Sequence, residues 1–381
     1  MKSLIVDKRA EIPGAGLHAL IVGVSKYDYL PSYDDPPDEG TWNLCSLGAP
    51  ASTASALADW FTSATDLAKP LKTLRLLMSP TAVEPVSHSV DSPTWDNFNQ
   101  AVRDWRRDCA DNMENIAFFY YGGHGFTRGR GEHNALLTMS DLFDPSQATL
   151  QRTVVTQNLL DGCAPQTRAD LIAREQVFIF DCCRSFPDYL KDFSDRSVPQ
   201  ILDVRLRENV EDNRVTARFY ATTDNSAAFA SVGGQTYFGG SILDALQNAG
   251  RNERPTGWMV DGTALMQRLN ARHKALRLPK TTTFLISNGP SIRILPGPPI
   301  VEIEVHLTPT ENAAGRRVGL TDLPKPRIVG EETTRGNHTF QIEPGTYDLE
   351  VEYPANNWVS MNDRGQISPD FINPWITTGW P

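Results

Sequence analysis

Three short and almost continuous apolar runs dominate the first half of the sequence. They are residues 17–24 (LHALIVGV), 115–121 (NIAFFYY) and 176–181 (QVFIFD). A strand with one solvated face alternates apolar and polar residues, whereas a short run without alternation is typical of a strand buried on both faces. These runs therefore predict the central strands of a parallel sheet that is covered by helices.

Helical patterns alternate with these runs. Residues 46–61 carry apolar side chains at helical spacing, and residues 93–108 follow Ser92 as a predicted N-cap, with Pro93 as the first helical residue. Further predicted elements are strands at 71–77, 218–221 and 281–286 and helices at 156–162 and 241–248. We therefore expect an α/β fold with a mostly parallel sheet flanked by helices.

A Pro- and Gly-rich joint, formed by Gly289, Pro290 and residues 296–299, interrupts this pattern. Beyond it, residues 301–307 (VEIEVHL) and 347–353 (YDLEVEY) alternate apolar and polar residues, as strands with one buried face do. The sequence therefore predicts two domains. Residues 1–290 form the α/β domain, and residues 291–381 form a small all-β sandwich of antiparallel strands.

Composition narrows the classes of partner. The 381 residues include 36 Lys and Arg against 46 Asp and Glu, and the resulting net charge of −10 argues against a nucleic-acid-binding surface. We expect neither a secretory leader nor a membrane span, because no apolar run approaches the required length of about 18 residues. Five cysteines are too few for a disulfide scaffold, so we expect free thiols and a cytoplasmic location.

Two chemically active residue types follow predicted strands, at the edge where an open α/β sheet binds its ligand. One strand runs into the glycine-flanked His124, and the next runs into Cys182 and Cys183. His124 and Cys183 form a candidate dyad, in which an imidazole takes the proton of a thiol that attacks a carbonyl. From the residues alone, a packing role for each side chain is the alternative. No CxxC, HxH or HExxH spacing predicts a metal site.

Four segments resemble one family of enzymes. They are residues 20–27 (LIVGVSKY), 47–61 (LGAPASTASALADWF), 118–125 (FFYYGGHG) and 178–185 (FIFDCCRS). In this order they resemble the caspase-like cysteine peptidases, and they are most similar to metacaspases and their bacterial relatives. The resemblance implies a caspase-hemoglobinase-like α/β fold and endopeptidase hydrolysis through an acyl-enzyme.

The resemblance also assigns roles to residues. His124 corresponds to the acid–base of the family and Cys183 to its nucleophile, which leaves Cys182 as a packing residue. The oxyanion would be bound by the backbone N–H groups of Gly125 and Cys183. Two departures are present: caspases carry QAC where this chain has DCC at residues 181–183, and many metacaspases carry Ser-Gly where residues 185–186 are Ser-Phe.

Asp181 and Asp224 predict the specificity of such a peptidase. In the family, the position of Asp181 lines the pocket for the substrate residue before the scissile bond, and Asp224 lies where metacaspases place a second acidic residue. Two carboxylates bind a guanidinium well, so we expect cleavage of protein or peptide substrates after Arg, less readily after Lys, and not after Asp. For Asp224, a local turn is the alternative.

A long charged stretch at residues 187–214 occupies the place of the cleavable loop of caspase-like zymogens. Its candidate processing residues are Arg196, Arg205, Arg207 and Arg214. Cleavage there, by the chain itself or by an upstream protease, would activate the enzyme. An ordinary solvated loop is the alternative.

An acidic loop raises the question of a cation, because some metacaspases are activated by calcium. Its acidic residues are Asp34, Asp35, Asp38 and Glu39. They lack the ligand register of an EF-hand and are more typical of a solvated loop. We therefore expect no resident metal or cofactor, with calcium activation as the alternative.

Two other functions stay open from the sequence. One is a catalytically inactive caspase-like scaffold or binding module, against which the presence of both His124 and Cys183 argues. The other is an unrelated α/β hydrolase or transferase that uses Cys183 on small esters or amides. The predicted β-sandwich carries no residues that indicate chemistry, and we expect it to cover, regulate or recruit.

Overall fold

The computed structural model describes residues 2–127, 135–167, 171–184, 198–204, 210–222, 232–253, 257–307, 316–332, 337–353, 357–372 and 375–377. The chain forms two compact units. One consists of Met1–Leu243, Asp261–Thr263 and Leu278–Arg293, and the other of Asp244–Val260, Ala264–Arg277 and Ile294–Pro381. The domain boundary near residue 290 stays a prediction, because the two units interleave along the chain between residues 244 and 293.

In the described part of the first unit, seven strands form one sheet. They are β1 (Leu4–Asp7), β2 (Leu17–Val24), β3 (Leu71–Ser79), β4 (Ile116–Gly122), β8 (Glu175–Asp181), β9 (Val215–Tyr220) and β12 (Thr282–Leu285). Their order is β1-β3-β2-β4-β8-β9-β12. The five inner strands are parallel, and β1 and β12 add antiparallel edges. The predicted α/β fold with a mostly parallel sheet is confirmed.

The described residues also contain five α-helices. They are α1 (Pro50–Ser63), α2 (Trp95–Cys109), α3 (Thr156–Gly162), α4 (Tyr237–Asn248) and α5 (Gly262–Ala275). Four of them match predicted helices, and α5 was not predicted. Within the described ranges, no helix combines the length and the apolar character that crossing a membrane requires.

Helix α2 begins later than its predicted start, and Ser92 is not its N-cap. Thr94 takes that place: its backbone is extended (φ −64°, ψ 161°), and its hydroxyl accepts a hydrogen bond from the N–H of Asn97 at 3.3 Å. The carbonyl of Ser92 accepts a bond from the side-chain amide of Asn97 instead, at 2.9 Å. The N-cap hydrogen bond of Thr94, and not the position of Pro93, therefore determines where the helix starts.

Helices α1 and α2 cover opposite faces of the central strands. Phe118 and Phe119 are consecutive in β4, so their rings point to opposite faces. Phe61 of α1 packs edge-on against Phe118, with ring centroids 4.7 Å apart, and Trp105 of α2 packs against Phe119 at 5.9 Å. The predicted burial of these strands on both faces is confirmed. The ends of β4 and β8 lie side by side because these two strands pair in parallel.

Three short strands follow the end of β4 and were not predicted. They are β5 (Gly125–Thr127), β6 (Ala135–Thr138) and β7 (Thr153–Val155). They form an antiparallel sheet in the order β5-β6-β7. Strand β5 begins one residue after His124, so this small sheet fixes the direction in which the chain leaves the site.

The remaining strands of the described residues form three sheets. A three-stranded sheet has the order β10 (Arg251–Glu253), β11 (Gly257–Asp261), β13 (Ser291–Leu295). A four-stranded sheet has the order β17 (Glu331–Glu332), β18 (His338–Ile342), β14 (Val301–Leu307), β21 (Trp375–Thr377). Another has the order β16 (Ile328–Val329), β15 (Val318–Thr321), β19 (Gly345–Tyr353), β20 (Asn357–Ile367).

The two four-stranded sheets share one hydrophobic core. Val305 of β14 and Leu349 of β19 lie in the same buried cluster, so the sheets pack face to face as a sandwich. The alternation in β14 buries every second residue, as the sequence predicts. The expectation of purely antiparallel strands is wrong at one place, because β14 and β21 pair in parallel.

Candidate active site

The ends of β4 and β8 bring His124 and Cys183 to one edge of the sheet. Gly122 and Asp181 are register partners in the parallel pair, and the N–H of Gly123 donates to the carbonyl of Asp181 at 3.2 Å. His124 and Cys183 each follow that registered pair by two residues. The turn that carries the imidazole and the turn that carries the thiol therefore leave the sheet as neighbours.

Gly125 packs directly against the cysteine turn. A Cβ atom at this position would lie 2.6 Å from Sγ of Cys182 and 2.9 Å from the carbonyl oxygen of Cys183. Real Cβ atoms do not approach other atoms this closely, so only glycine lets the two turns meet without displacement. This close packing joins the histidine segment to the cysteine segment, in addition to the hydrogen bond between Gly123 and Asp181.

The His124 imidazole is oriented by a backbone carbonyl. Its Nε2 atom lies 2.7 Å from the carbonyl oxygen of Cys45, in the loop between β2 and α1. A carbonyl only accepts hydrogen bonds, so Nε2 carries the proton and Nδ1 is the unprotonated nitrogen of the neutral ring. Burial lowers the pKa of His124, and the bond to Cys45 opposes that shift. The neutral ring is therefore a base whose free nitrogen is Nδ1.

The two adjacent thiols have different environments. Cys182 is 2% exposed and lies in the main core cluster. Burial, reinforced by the neighbouring Cys183 and Asp181, raises the pKa of the Cys182 thiol, which keeps it protonated. Cys183 is half-buried and free of any disulfide. Cys183 is therefore the more accessible of the two to solvent, whereas Cys182 fills the core.

The backbone N–H of Gly125 takes no part in the pairing of β5 with β6. Gly125 and Leu137 are register partners in β5 and β6, while the N–H of Thr138 donates to the carbonyl of His124 at 3.3 Å. This pattern makes Gly125 and Leu137 a non-hydrogen-bonded pair of the antiparallel ladder. The N–H of Gly125 therefore points away from β6, as an oxyanion donor must.

Asp181 is buried, with 3% of its surface exposed. Tyr120 donates its hydroxyl to Oδ2 of Asp181 at 2.7 Å, and the Thr236 hydroxyl donates to the same oxygen. Thr236 in turn accepts from the N–H of Gly239 at 3.0 Å in the first turn of α4. Burial raises the pKa of Asp181 to about 6, against the stabilising effect of these donors. Sequence reasoning missed both hydroxyl partners, which carry no motif.

Arg184 fastens the cysteine turn to the outer strands. Its guanidinium is buried and lies over the ring of Tyr220, with the carbon 4.7 Å from the ring centroid. One nitrogen donates to the carbonyl of Thr222 at 2.7 Å and to the hydroxyl of Thr282 at 3.1 Å. The residue after Cys183 is thus tied to the end of β9 and to β12.

The remaining predicted site residues lie in several places. Asp224 and the candidate processing residues Arg196, Arg205 and Arg207 lie outside the described residues. Arg214 is described, and its side chain is 11% exposed. It pairs with Asp212 at 2.7 Å and donates to the carbonyl of Leu160 and to Gln176. The pairing of Asp181 with Asp224 therefore stays a prediction.

Two of the acidic residues near position 35 serve local turns. Asp35 accepts a bond from the N–H of Ser32 at 2.9 Å, and Asp38 accepts one from the N–H of Gly40 at 2.9 Å, at the start of a 3₁₀ helix. Over the described stretches, no three His, Cys, Asp or Glu side chains are grouped to hold a metal ion. Calcium activation stays the untested alternative to the expectation of no resident metal.

The sequence matches the family model of the caspase domain over residues 17–279, well over half of the chain. Among solved structures, caspase-1 from Spodoptera frugiperda is 12% identical, with a TM-score of 0.41 over 77% of this chain and 92% of that one. A protein of Geobacter sulfurreducens, solved as a structural-genomics target, is 12% identical, with a TM-score of 0.39 over 71% of this chain and 92% of that one. No curated protein is detectably similar in sequence. The match over residues 17–279 shows that the chain belongs to the caspase family of cysteine peptidases.

Proposed function

We propose that this chain is an active cysteine endopeptidase in which Cys183 is the nucleophile and His124 is the acid–base. One observation carries the proposal. The register of Gly122 with Asp181 delivers an imidazole and an accessible thiol to the same sheet edge, and the bond from His124 to Cys45 leaves Nδ1 as the basic nitrogen. An inactive scaffold would have no need for an oriented imidazole beside an accessible thiol.

The geometry supports a conventional acyl-transfer sequence. Nδ1 of His124 takes the proton from the Cys183 thiol, and the thiolate adds to the scissile carbonyl carbon. The N–H groups of Gly125 and Cys183 would bind the resulting oxyanion. The imidazolium then gives its proton to the leaving amine, and an acyl-enzyme remains. Water, deprotonated by the same imidazole, releases the acid and restores the thiol.

We assign the preference for Arg to Asp181. Both hydroxyl groups donate to Oδ2 of Asp181, and we infer that the other oxygen, Oδ1, binds the substrate cation. A guanidinium binds carboxylates bidentately, whereas an ammonium is a point charge, so Lys is accepted less well and Asp is repelled. Asp224 would supply a second carboxylate. The substrates are proteins or peptides cut after Arg.

We further propose that cleavage within residues 187–214 activates the enzyme, through self-cleavage or an upstream protease. Of the four candidate processing residues, Arg214 is the least suited to cleavage. Its ion pair and its hydrogen bonds to Leu160 and Gln176 keep its side chain from entering the specificity pocket of a protease. Arg196, Arg205 and Arg207 are therefore the preferred cleavage residues.

A cytoplasmic location fits the cysteines, none of which forms a disulfide. Buried thiols that never pair are typical of reducing compartments. The net charge of −10 makes nucleic acid an unsuitable partner.

The deciding experiment is hydrolysis of matched fluorogenic tetrapeptides that end in Arg, Lys or Asp. It compares wild type, Cys183→Ala, Cys182→Ala and Asp181→Asn, with and without Ca²⁺ and after limited proteolysis. Cys183→Ala should abolish cleavage after Arg, by about 10⁴-fold or more, while Cys182→Ala should retain most of it. Asp181→Asn keeps the acceptor for Tyr120 and Thr236 but removes the charge, and we expect about a 100-fold loss for Arg peptides.

Intact-mass analysis of wild type and Cys183→Ala tests activation. A break within residues 187–214 that depends on Cys183 indicates self-cleavage, and a break only after added protease indicates an upstream activator. If neither the intact nor the cleaved chain hydrolyses any of the peptides, the inactive scaffold would be favoured. Cleavage after Asp would show that Asp181 does not set the specificity.

A further inference from the structure

Tyr27 closes the segment LIVGVSKY, to which the proposed chemistry assigns no role. It lies three residues after the end of β2, is 1% exposed and belongs to the main core cluster. Its hydroxyl accepts a hydrogen bond from the backbone N–H of His124 at 2.9 Å. The same hydroxyl is bonded to the Thr138 hydroxyl at 2.9 Å. A core tyrosine thus contacts the catalytic segment through its polar end.

The backbone carbonyl of His124, like its N–H, is hydrogen-bonded to hydroxyl groups. Its carbonyl accepts from the Tyr121 hydroxyl at 2.9 Å and from the Thr138 hydroxyl at 3.0 Å. A Cβ atom at Gly123 would lie 2.7 Å from the Tyr121 hydroxyl oxygen and 3.1 Å from that of Tyr27. We call Tyr27, Tyr121 and Thr138 the hydroxyl clamp, because they hold the N–H and the C=O of one residue.

Tyr27 also contacts the imidazole ring and Ser46, the residue after the Cys45 carbonyl that orients that ring. Its own ring packs against that of His124, with centroids 5.1 Å apart and planes tilted by 40°. Its backbone N–H donates to the Ser46 hydroxyl at 3.2 Å. Ser46 follows Cys45, whose carbonyl receives Nε2–H of His124 at 2.7 Å. One residue therefore connects the backbone of His124, its ring and the segment that supplies the ring's acceptor.

From this arrangement we infer that Tyr27 is a positioning residue for His124: its hydroxyl and ring set the direction of the imidazole toward the Cys183 thiol. The inference rests on the proposed dyad. Burial raises the pKa of the Tyr27 hydroxyl, so it stays protonated and acts by hydrogen bonding and packing, not by proton transfer. Misplacement of a catalytic group by about 1 Å lowers rates by about 100-fold, which sets the scale of the effect.

The test follows the pH dependence of thiol reactivity. The rate at which iodoacetamide alkylates Cys183 is measured on the Cys183-containing peptide by mass spectrometry, across a range of pH, in wild type, His124→Ala and Tyr27→Phe. Iodoacetamide reacts with the thiolate, so the profile reports how readily the imidazole takes the proton of the Cys183 thiol. Tyr347→Phe is the matched control, because Tyr347 is a buried tyrosine of the β-sandwich whose hydroxyl donates to the carbonyl of Glu343 at 2.9 Å.

We expect Tyr27→Phe to move the midpoint of alkylation to higher pH and to lower kcat for an Arg peptide by about tenfold or more, with KM unchanged. Tyr27→Leu, which also removes the ring, should be worse. Tyr347→Phe should behave as wild type. A destabilised but correctly aligned site would lower the melting temperature without moving the midpoint, so this readout separates positioning from a merely structural role.

Each outcome decides between the two claims. If His124→Ala has the wild-type midpoint, the proposed dyad is wrong. If His124→Ala moves the midpoint and Tyr27→Phe does not, the dyad stands and the role of Tyr27 is rejected. If Tyr27→Phe does not fold, Thr138→Val decides in its place, because it removes one hydroxyl of the clamp and keeps both rings. An unmoved midpoint in a folded Thr138→Val would then reject the inference.

Discussion

The Nε2 atom of His124 lies 2.7 Å from the carbonyl oxygen of Cys45. A backbone carbonyl fixes the tautomer of the ring as a carboxylate would, but it has no charge and does not titrate. The imidazole therefore lacks the stabilisation that an acidic partner gives to its protonated form, and burial keeps its pKa below the usual value. His124 is thus set as a base at neutral pH.

The first prediction concerns pH. As pH falls, protonation of Asp181 near pH 6 removes the charge that attracts a substrate cation. Protonation of His124 occurs below its ordinary pKa, so the base survives to lower pH than in an unperturbed histidine. We expect KM for an Arg peptide to rise as pH drops through about 6, while kcat falls only at lower pH. Steady-state kinetics across this range measure both, and a KM that does not vary with pH would contradict the assignment of Asp181.

The second prediction concerns stability. The Asp181 carboxyl binds its proton more tightly in the folded chain, where burial raises its pKa from the ordinary value of 3.8 to about 6. The folded state is therefore favoured while the carboxyl is protonated, and it loses stability as pH rises from about 4 to about 6. Above that window, ionisation of Asp181 lowers the free energy of unfolding by about 3 kcal/mol. Asp181→Asn, which stays neutral, should therefore have a higher free energy of unfolding than wild type at neutral pH.

Urea denaturation at about pH 5 and about pH 7.5 measures this difference. The advantage of Asp181→Asn should be larger at the higher pH. Glu343→Gln, an exposed carboxyl change in the β-sandwich, is a control that should show little pH-dependent difference. A stability advantage that is equal at both pH values would mean that ionisation of the buried Asp181 carboxyl does not destabilise the fold.

The sheet was predictable because burial on both faces leaves a clear trace in the sequence. Runs such as Leu17–Val24 have no polar alternation, and their order with the helices allows few topologies. The edge strand β1 (Leu4–Asp7) is shorter and only half-buried, so its pattern resembles that of a loop. Strands β5 to β7 have three or four residues each, too few for periodicity to show.

The site was only partly predictable, for a different reason. His124 and Cys183 are visible because reactive side chains follow strong strands. Cys45 acts through its carbonyl, which every residue carries, so no side-chain pattern identifies it. Tyr120 and Thr236 reach Asp181 from separate parts of the chain, and only the fold brings them together.

The third prediction concerns the contact between the two catalytic turns. Gly125→Ala would place a methyl group 2.6 Å from Sγ of Cys182 and 2.9 Å from the carbonyl oxygen of Cys183. One of the turns must move, so we expect a loss of about 1–3 kcal/mol in the free energy of unfolding and at least about 100-fold in kcat/KM. Gly297→Ala is the control, because a Cβ there meets nothing within 4 Å. Activity near that of wild type in Gly125→Ala would show that the turns do not need this approach.

The fourth prediction concerns the anchor behind the nucleophile. Arg184→Met keeps most of the aliphatic volume but removes the bonds to the carbonyl of Thr222 and the hydroxyl of Thr282, as well as the stacking on Tyr220. The lost hydrogen bonds destabilise the fold, while removal of a buried guanidinium removes its desolvation cost. The net change in the free energy of unfolding should therefore stay below about 2 kcal/mol.

In Arg184→Met, the turn that carries Cys183 loses its connection to β9 and β12, and kcat should fall by at least about tenfold. Thr282→Val, which deletes one acceptor and leaves the stronger bond to Thr222, should fall much less. Comparing kcat and urea denaturation for both variants separates anchoring from stability, and equal activity in Arg184→Met and wild type would show that the turn holds its position without the guanidinium.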